Sequence, residues 1–349
     1  MSRIFVAGLG AVSPAGWTVA AMREALDLAK PLPTQPLEQN QGRSLRAHLV
    51  PPPATRPEFL SHPRLRRASA ITHYTASAVL EAAAPWQKAC PENSRLGLIA
   101  CMQSGCVQYS CRFYDETLKN PATASPLLFP ETVYAAPASH VAALLPNVML
   151  VSSLVGDPSA FLQGVALATQ WLAEDRVDAC LVAGVEETNW ITADALWHLD
   201  RTALISAGAG ALCLCRDAGL SLGIELTAIT DAHTYSAKKN RTQAARLMRH
   251  QLNGKLSSNS RELLCDGLGD SSRVHAPEMS AWGDWAGPRL SPKKILGEGL
   301  MAAAAWQCVA ACDAVANRRV TAANVSLVGF NQQAIGARFE NISSSVNSP

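Results

Sequence analysis

Residues 147–187 read NVMLVSSLVGDPSAFLQGVALATQWLAEDRVDACLVAGVEE, and the fold is decided by this stretch. It divides into a buried strand from Val148 to Ser153, a sharp turn from Leu154 to Asp157, a helix from Pro158 to about Glu174, and a second buried strand from Ala179 to Gly184. The helix start is well marked. Asp157 can accept from the free N–H groups of the first turn, and Pro158, with no N–H to lose, suits the first helical position. Ala160, Phe161, Gly164, Val165, Ala168, Trp171 and Leu172 leave few polar positions before the Glu174-Asp175-Arg176 cluster, so the helix is expected to be buried on most sides. A strand that turns abruptly into a buried helix exposes whatever stands at the turn, and the helix dipole favours negative charge there. No cysteine stands at this turn. Pro158 carries no group able to attack a substrate, and Ser159 is the nearest candidate nucleophile.

Working outward, strands and helices alternate along the chain. Residues 3–12 read as a strand ending in GLGAVSPAG, where Gly8 and Gly10 resemble the opening of a dinucleotide fingerprint. The third glycine is missing and Ser-Pro interrupts the helix start, so a tight turn is the better reading. Trp17–Leu28 is helical, and residues 30–60, rich in Pro, Gln and Arg, form an irregular surface excursion centred on Pro51-Pro52-Pro53. An alanine-rich helix runs from Arg67 to Ala84 and is stopped by Pro85. RLGLIAC (95–101) is a strand, QSGCVQYSC a loop leading into a helix, and Ala138–Leu145 a short helix; AGAGALCLC (207–215) is a buried strand. The pattern restarts near residue 220 with strand GIELTAITDAH, helix KKNRTQAARLMRHQL, strand ELLCDG, a helix over 297–317 and a last pair of strands over 324–340. The expected organisation is a layered α/β fold of two similarly built halves, 1–218 and 219–341, with apolar helices sandwiched between sheets and a disordered tail over 342–349.

Composition excludes several classes. Hydrophobic residues make up 48% and charged ones 17%, and a formal net charge of +2 lacks the basic stripe of a nucleic-acid binder. The densest basic run, HPRLRR (62–67), reads as a solvated helix start, with docking of an acidic carrier protein as the alternative. There is no uninterrupted apolar run of about 18 residues to span a membrane, and the N-terminus does not read as a signal peptide. Of ten cysteines most lie in apolar runs, and no C-x-x-C pair has a partner. Reduced thiols in a cytoplasmic protein, with no metal and no cofactor, are expected.

Several segments together carry a family likeness. RIFVAGLGAVSPAG (3–16) looks like the opening of β-ketoacyl synthases, and SPLLFPETVYAAPASHVAALLPN (125–147) resembles the segment before their nucleophile. DRVDACLVAGVEE (175–187) resembles the strand after the nucleophile helix, AGAGALCL (207–214) their GEGAG-type strand, and SPKKILGEGLMAAAAWQCVAACDAV (291–315) their K-S-x-x-G-H-x-x-G-A-A segment. The likeness runs in order from about residue 3 to 340. It implies a five-layer αβαβα thiolase fold of two pseudo-symmetric halves, a two-fold dimer, and a Cys-His-His site that condenses an acyl group with a malonyl unit on a carrier protein. Carried across residue by residue, the Cys position falls on Pro158 and the two His positions on Asp266 and Glu298, while Lys293 matches the family lysine. The glycine-rich gating loop becomes Gly329-Phe330-Asn331-Gln332, and the segment between Glu187 and Asp200 is shorter than in active members.

These replacements remove the chemistry. Condensation needs a thiolate and neutral imidazoles that donate to the developing enolate oxygen, whereas two carboxylates would repel both the malonyl carboxylate and an oxyanion. Asp266 and Glu298 are therefore expected to be polar residues freed from catalysis, bonded to Lys293 or Asp157. A proton-sharing acid pair is the catalytic alternative. Cys106, Cys111 and His140 suggest a displaced Cys-His dyad, against a structural role for each; His73 and His233 read as satisfied polar residues. Trp282 and Trp285 either anchor a partner or cap the core. The resemblance places Phe129, Tyr134, Phe161 and Phe330 at the acyl tunnel or dimer interface. The expected protein resembles the chain-length factor of type II polyketide and aryl-polyene systems: a non-catalytic subunit that pairs with an active ketosynthase, shapes its acyl tunnel and meets acyl carrier protein, in polyketide or fatty-acid-like biosynthesis. The alternatives are an acyl-processing enzyme (a malonyl decarboxylase or acyl hydrolase or transferase) built on Asp266, Glu298 and Ser159, and a homodimer that binds acyl groups or carrier protein.

Overall fold

The computed structural model describes residues 3–37, 43–236, 240–253, 261–270 and 272–342. Up to residue 215 the elements are β1 (Phe5–Val12), α1 (Val19–Leu28), β2 (Gln35–Leu37), β3 (Leu45–His48), α2 (Ala70–Ala89), β4 (Leu96–Met102) and α3 (Val107–Lys119). They continue with α4 (Ala136–Ala142), β5 (Val148–Val155), α5 (Ala160–Ala173), β6 (Ala179–Glu186), α6 (Trp190–Leu199), β7 (Ile205–Ser206) and β8 (Gly208–Cys215). The rest comprises β9 (Ile224–Ile229), β10 (His233–Thr234), α7 (Arg241–Asn253), β11 (Glu262–Cys265) and α8 (Ser272–Ala281). It closes with β12 (Arg289–Leu290), α9 (Lys293–Leu296), α10 (Met301–Ala316), β13 (Ala322–Val328) and β14 (Gln333–Asn341).

The main sheet runs β12-β11-β13-β14-β9-β1-β8-β6-β4-β5. Cut between β9 and β1, it gives two five-stranded paths, and each takes its strands in the same chain order: third, second, fourth, fifth, first. Helices α5 and α10 lie between the two paths, α2 and α4 cover the outer face of one, and α7 and α8 cover the other. This is a five-layer αβαβα arrangement. Every residue of α10 from Met301 to Val315 is buried, which explains why its sequence is apolar all round; Trp306 Nε1 donates to the carbonyls of Val12 and Ala209, both at 3.0 Å.

Several expectations give way to tertiary context. Gly8 and Gly10 form no turn. They lie inside β1, where an added Cβ would stand 1.9 Å from the carbonyl oxygens of Ala82 and Ala78, so glycine here lets α2 press directly onto the strand. Pro85 does not stop α2, which continues to Ala89. The proline sits on the exposed side of the helix, where its ring meets no packed neighbour layer. The supposed irregular excursion contains β2 and β3, which pair with β7 in a separate three-stranded sheet. Of the segment read as a loop at 103–111, the part from Val107 is already helix α3. Helices α6 and α8 carry too weak an apolar period to stand out. Trp282 is fully buried, with its ring edge-on to Trp285 at 5.7 Å, so it belongs to the core beneath α7. Ile342, assigned to the tail, packs against the core and donates its N–H to Gly223 O at 3.0 Å; residues 343–349 lie outside the described residues.

The largest correction concerns β5. It is not buried. Among the described residues β5 ends the sheet and pairs only with β4, and its Met149, Val151 and Val155 are exposed. Tyr114 and Leu118 of α3, with Leu127, Phe129, Val133 and Tyr134, are also exposed. Helix α4 packs on β5, and α3 packs on the turn containing Phe129, whose ring lies 5.7 Å from that of Phe113.

Candidate functional site at the mouth of helix α5

The turn between β5 and α5 places Asp157, Pro158 and Ser159 in the interior, with Asp157 3% and Ser159 0% exposed. No thiol is present at this point. The Ser159 hydroxyl donates to Asp157 Oδ1, and the Ser159 N–H donates to the same oxygen at 3.2 Å. The Ser159 hydroxyl thus meets a carboxylate, and no histidine hydrogen-bonds to it among the described residues. Asp157 Oδ2 faces the other way and accepts from the N–H groups of Gln332 at 3.1 Å and Asn331 at 3.4 Å. The Asp157 N–H in turn donates to Gln332 Oε1 at 3.1 Å. Gly329 is packed so closely on this carboxylate that a Cβ would lie 2.0 Å from Asp157 Oδ2.

Asp266 and Glu298 do not form a pair with each other, nor with Asp157. Asp266, fully buried at the end of β11, accepts from Ser291 Oγ at 2.5 Å and from the Leu268 N–H at 3.3 Å, and Arg289 Nη1 lies 3.4 Å from its other oxygen. Burial pushes its carboxyl upward, against the pull of these donors. The neighbour that completes the acid pair is Glu278 of α8. Its carboxylate accepts from Ser326 Oγ at 2.5 Å and the Gly267 N–H at 3.2 Å, and burial with the charge of Asp266 pushes it up to about 7. Glu278 is the one acid of α8, SRVHAPEMSA, a mixed polar segment that gave no signal of a buried carboxylate.

Glu298 takes the partner expected of it. Its Oε2 lies 2.6 Å from Lys293 Nζ and its Oε1 accepts from the Leu300 N–H at 2.9 Å. Leu300 pays for that cap with a left-handed backbone, φ 48°, at the head of α10. Beside this ion pair a small cavity of about 50 Å³ is lined by His48, Asp200, His275, Lys293 and Glu298 among others. His275 is pushed down to about 3 by burial and the nearby Lys293, and His48 Nδ1 lies 3.1 Å from Pro33 O.

The remaining candidates stand apart. Cys106 Sγ donates to Val133 O at 3.6 Å and burial pushes its thiol up to about 12; Cys111 accepts from Asn189 Nδ2 at 3.1 Å, and His140 Nε2 pairs with Glu131 at 2.9 Å. No Cys-His dyad is formed by these three. His73 lies on Leu65 O at 3.0 Å and His233 on Gln251 at 3.1 Å. Phe161 is fully buried in the layer between the sheets, whereas Phe129 and Tyr134 are 56% and 44% exposed. Phe330 is half-buried, with Lys293 Nζ 5.7 Å from its ring. Among the described residues no three His, Cys, Asp or Glu side chains are grouped to hold a metal ion, and no helix is long and apolar enough to cross a membrane.

Sequence reasoning missed the pair Glu186–Glu187 at the end of β6. Both carboxyls are buried. Glu186 accepts from the Gln103 N–H at 2.5 Å and the Ser104 N–H at 3.2 Å, while Glu187 accepts from Ile71 N–H at 3.1 Å and Gln108 N–H at 2.8 Å. They tie the start of α2 and the approach to α3 to the sheet. Burial pushes Glu186 up to about 8 and Glu187 up to about 7.

No protein family and no curated protein sequence matches the chain. Solved structures do share its fold. A β-ketoacyl synthase from Burkholderia phymatum STM815 aligns over 98% of this chain and 100% of its own, with TM-score 0.81 and 15% identity. The ishigamide ketosynthase/chain length factor aligns over 97% and 99%, with TM-score 0.75 and 16% identity. The ketosynthase ApeO in complex with its chain length factor ApeC from Xenorhabdus doucetiae aligns over 97% and 98%, with TM-score 0.77 and 13% identity. The fold is that of the ketosynthases, from one end of the described chain to the other.

Proposed function

We propose that this chain is a ketosynthase-like subunit without condensing activity of its own, a chain-length factor that pairs with an active β-ketoacyl synthase and helps to shape its acyl tunnel. The observation that carries this reading is the mouth of α5: Pro158 stands where a nucleophile belongs, between a carboxylate and a serine that bond to each other. Asp266 and Glu298, at the two histidine positions, are committed to Ser291 and Lys293. A site so arranged has neither a thiolate to accept an acyl group nor imidazoles to stabilise an enolate. The edge position of β5 and the exposed apolar side chains it carries support the pairing: a strand edge with Met149, Val151 and Val155 exposed suits a protein–protein interface. On this reading Phe129 and Tyr134 lie at the join and set the reach of the partner's tunnel, acyl carrier protein is the third component, and the assembly works in the cytoplasm on polyketide or fatty-acid-like chains.

The test is co-expression with an active ketosynthase followed by mass measurement of the complex and product analysis. A 1:1 heterodimer, with chain length altered by F129A or Y134A, is expected. The chain alone, given malonyl- and acyl-carrier protein, is expected to make no β-ketoacyl product. Turnover by the isolated chain, or covalent acylation of Ser159, would overturn the reading in favour of an acyl-processing enzyme, and a stable homodimer that ignores the ketosynthase would overturn the pairing.

A further inference from the structure

The loop Gly329–Gln332 crosses directly over the N-terminus of α5, and its two faces are unlike. Asn331 and Gln332 are exposed residues, while their backbone N–H groups turn inward onto Asp157. Four donors therefore surround one buried carboxylate: the N–H and hydroxyl of Ser159 on one oxygen, and the N–H groups of Asn331 and Gln332 on the other. Hydrogen bonds to a charged acceptor are the strong ones, and a buried carboxylate needs all of them. The contact is reciprocal, since Gln332 Oε1 receives the Asp157 N–H at 3.1 Å. Gly329, without a side chain, lets the loop close down onto the carboxylate. At its other end the loop is held by Tyr235, whose hydroxyl donates to Gly329 O and whose N–H donates to Gln332 O at 2.9 Å.

We propose that Asp157 is a built-in anion that latches the loop Gly329–Gln332 shut over the head of α5, so that this pocket is filled and closed from within. The helix N-terminus and the inward N–H groups of the loop make a cradle for a carboxylate, and the chain supplies its own. Anything that is to enter there must first displace Asp157 from all four donors at once. Phe330, carried on the same loop, follows it: its ring packs into the small cluster with Leu45, Ala47, Ala193 and Leu196, beside Lys293. Opening the latch thus also unplugs the approach to the Lys293–Glu298 pair. The latch is a property of the isolated chain and does not rest on the pairing proposal.

Hydrogen exchange on the full-length chain tests this, read separately for the segment around 329–335 and for α5. Ser at position 157 keeps a short acceptor for the turn that starts α5 but does not reach the loop. In D157S the loop amides are expected to exchange roughly ten-fold faster or more, with the α5 amides unchanged. D157A leaves the cradle empty. There, formate at high concentration is expected to slow exchange of the loop again, whereas chloride at equal ionic strength does not. The proposal is overturned if the loop in D157S exchanges at the wild-type rate. Loosening of loop and helix together in D157S would reduce Asp157 to an ordinary helix cap, and failure of formate to act on D157A would remove the carboxylate cradle; either result overturns it. Y235F, cutting the second tether, serves where D157A does not fold: it is expected to raise loop exchange further in the D157S background, and no added effect counts against a two-point closure.

Discussion

Lys293 Nζ and Glu298 Oε2 meet at 2.6 Å with side chains only 9% and 6% exposed, which makes them a buried ion pair. Removing one charge strands the other. E298A or K293A is expected to cost about 3–5 kcal/mol, while the double apolar replacement K293M/E298L is expected to be far milder than the two single costs added together. Urea unfolding of the four proteins checks this as a double-mutant cycle, and additive losses would show that the pair is not a unit.

The buried carboxyls at the end of β6 make stability depend on pH in a definite sense. Glu186 is raised from 4.5 to about 8 and Glu187 from 4.5 to about 7, so the folded chain holds protons that the unfolded chain has released. The stabilisation is complete below about 4.5 and is lost as pH rises through about 7 to 8. Within that window each carboxyl contributes a fall of about 1.4 kcal/mol per pH unit at most. Thermal unfolding between pH 6 and 8.5 should show a falling Tm, and E186Q should flatten the slope. A Tm that rises across this range in the wild-type chain would refute the assignment.

Gly10 is held against the backbone of α2. A Cβ there would stand 1.9 Å from Ala78 O, and the atoms it meets are all main-chain, so nothing flexible can yield. G10A is expected to destabilise by about 3 kcal/mol or more, or to yield insoluble protein, whereas an alanine at Gly223, where nothing lies within 4 Å of an added Cβ, meets no such wall and is opposed only by its positive φ. Expression yield and denaturant midpoints compare the two directly.

A charge on the open edge of β5 separates association from folding. Val151 is 48% exposed and points away from the core, so V151D is expected to leave the Tm of the isolated chain within about 1 kcal/mol equivalent of wild type. The same change should abolish assembly through that edge, seen as a shift to monomer in native mass measurement. Retained assembly would place the interface elsewhere.

The order of elements and the layered architecture were legible because α10 is apolar almost all round and α5 on most sides, the pattern of helices held between two sheets. The turn into α5 was legible for a local reason, since Asp157 and Pro158 are helix-start residues. What escaped reading depended on neighbours distant in the chain. NVMLVSS has the same composition whether both faces are covered or one edge is open, and only the position of β5 beyond β4 decides it. Pro85 reads as a stop until its solvent-facing side is known. Asp266 was expected to turn to Lys293 or Asp157, but β11 delivers it to Ser291 and Arg289, and its acidic neighbour is Glu278 from a helix whose period was too faint to see. The partners of a buried acid are fixed by strand order, which no local pattern reports.

The bare flank of β5 also bears on how the cell must make this protein. A ribbon of unsatisfied amides and carbonyls fringed with Met149, Val151 and Val155 is sticky toward any similar ribbon, including one on a half-made neighbour at the ribosome. Copies whose β5 edge stays uncovered would be drawn into aggregates or handed to proteases, so the edge sets a ceiling on how much uncovered chain a cell can hold.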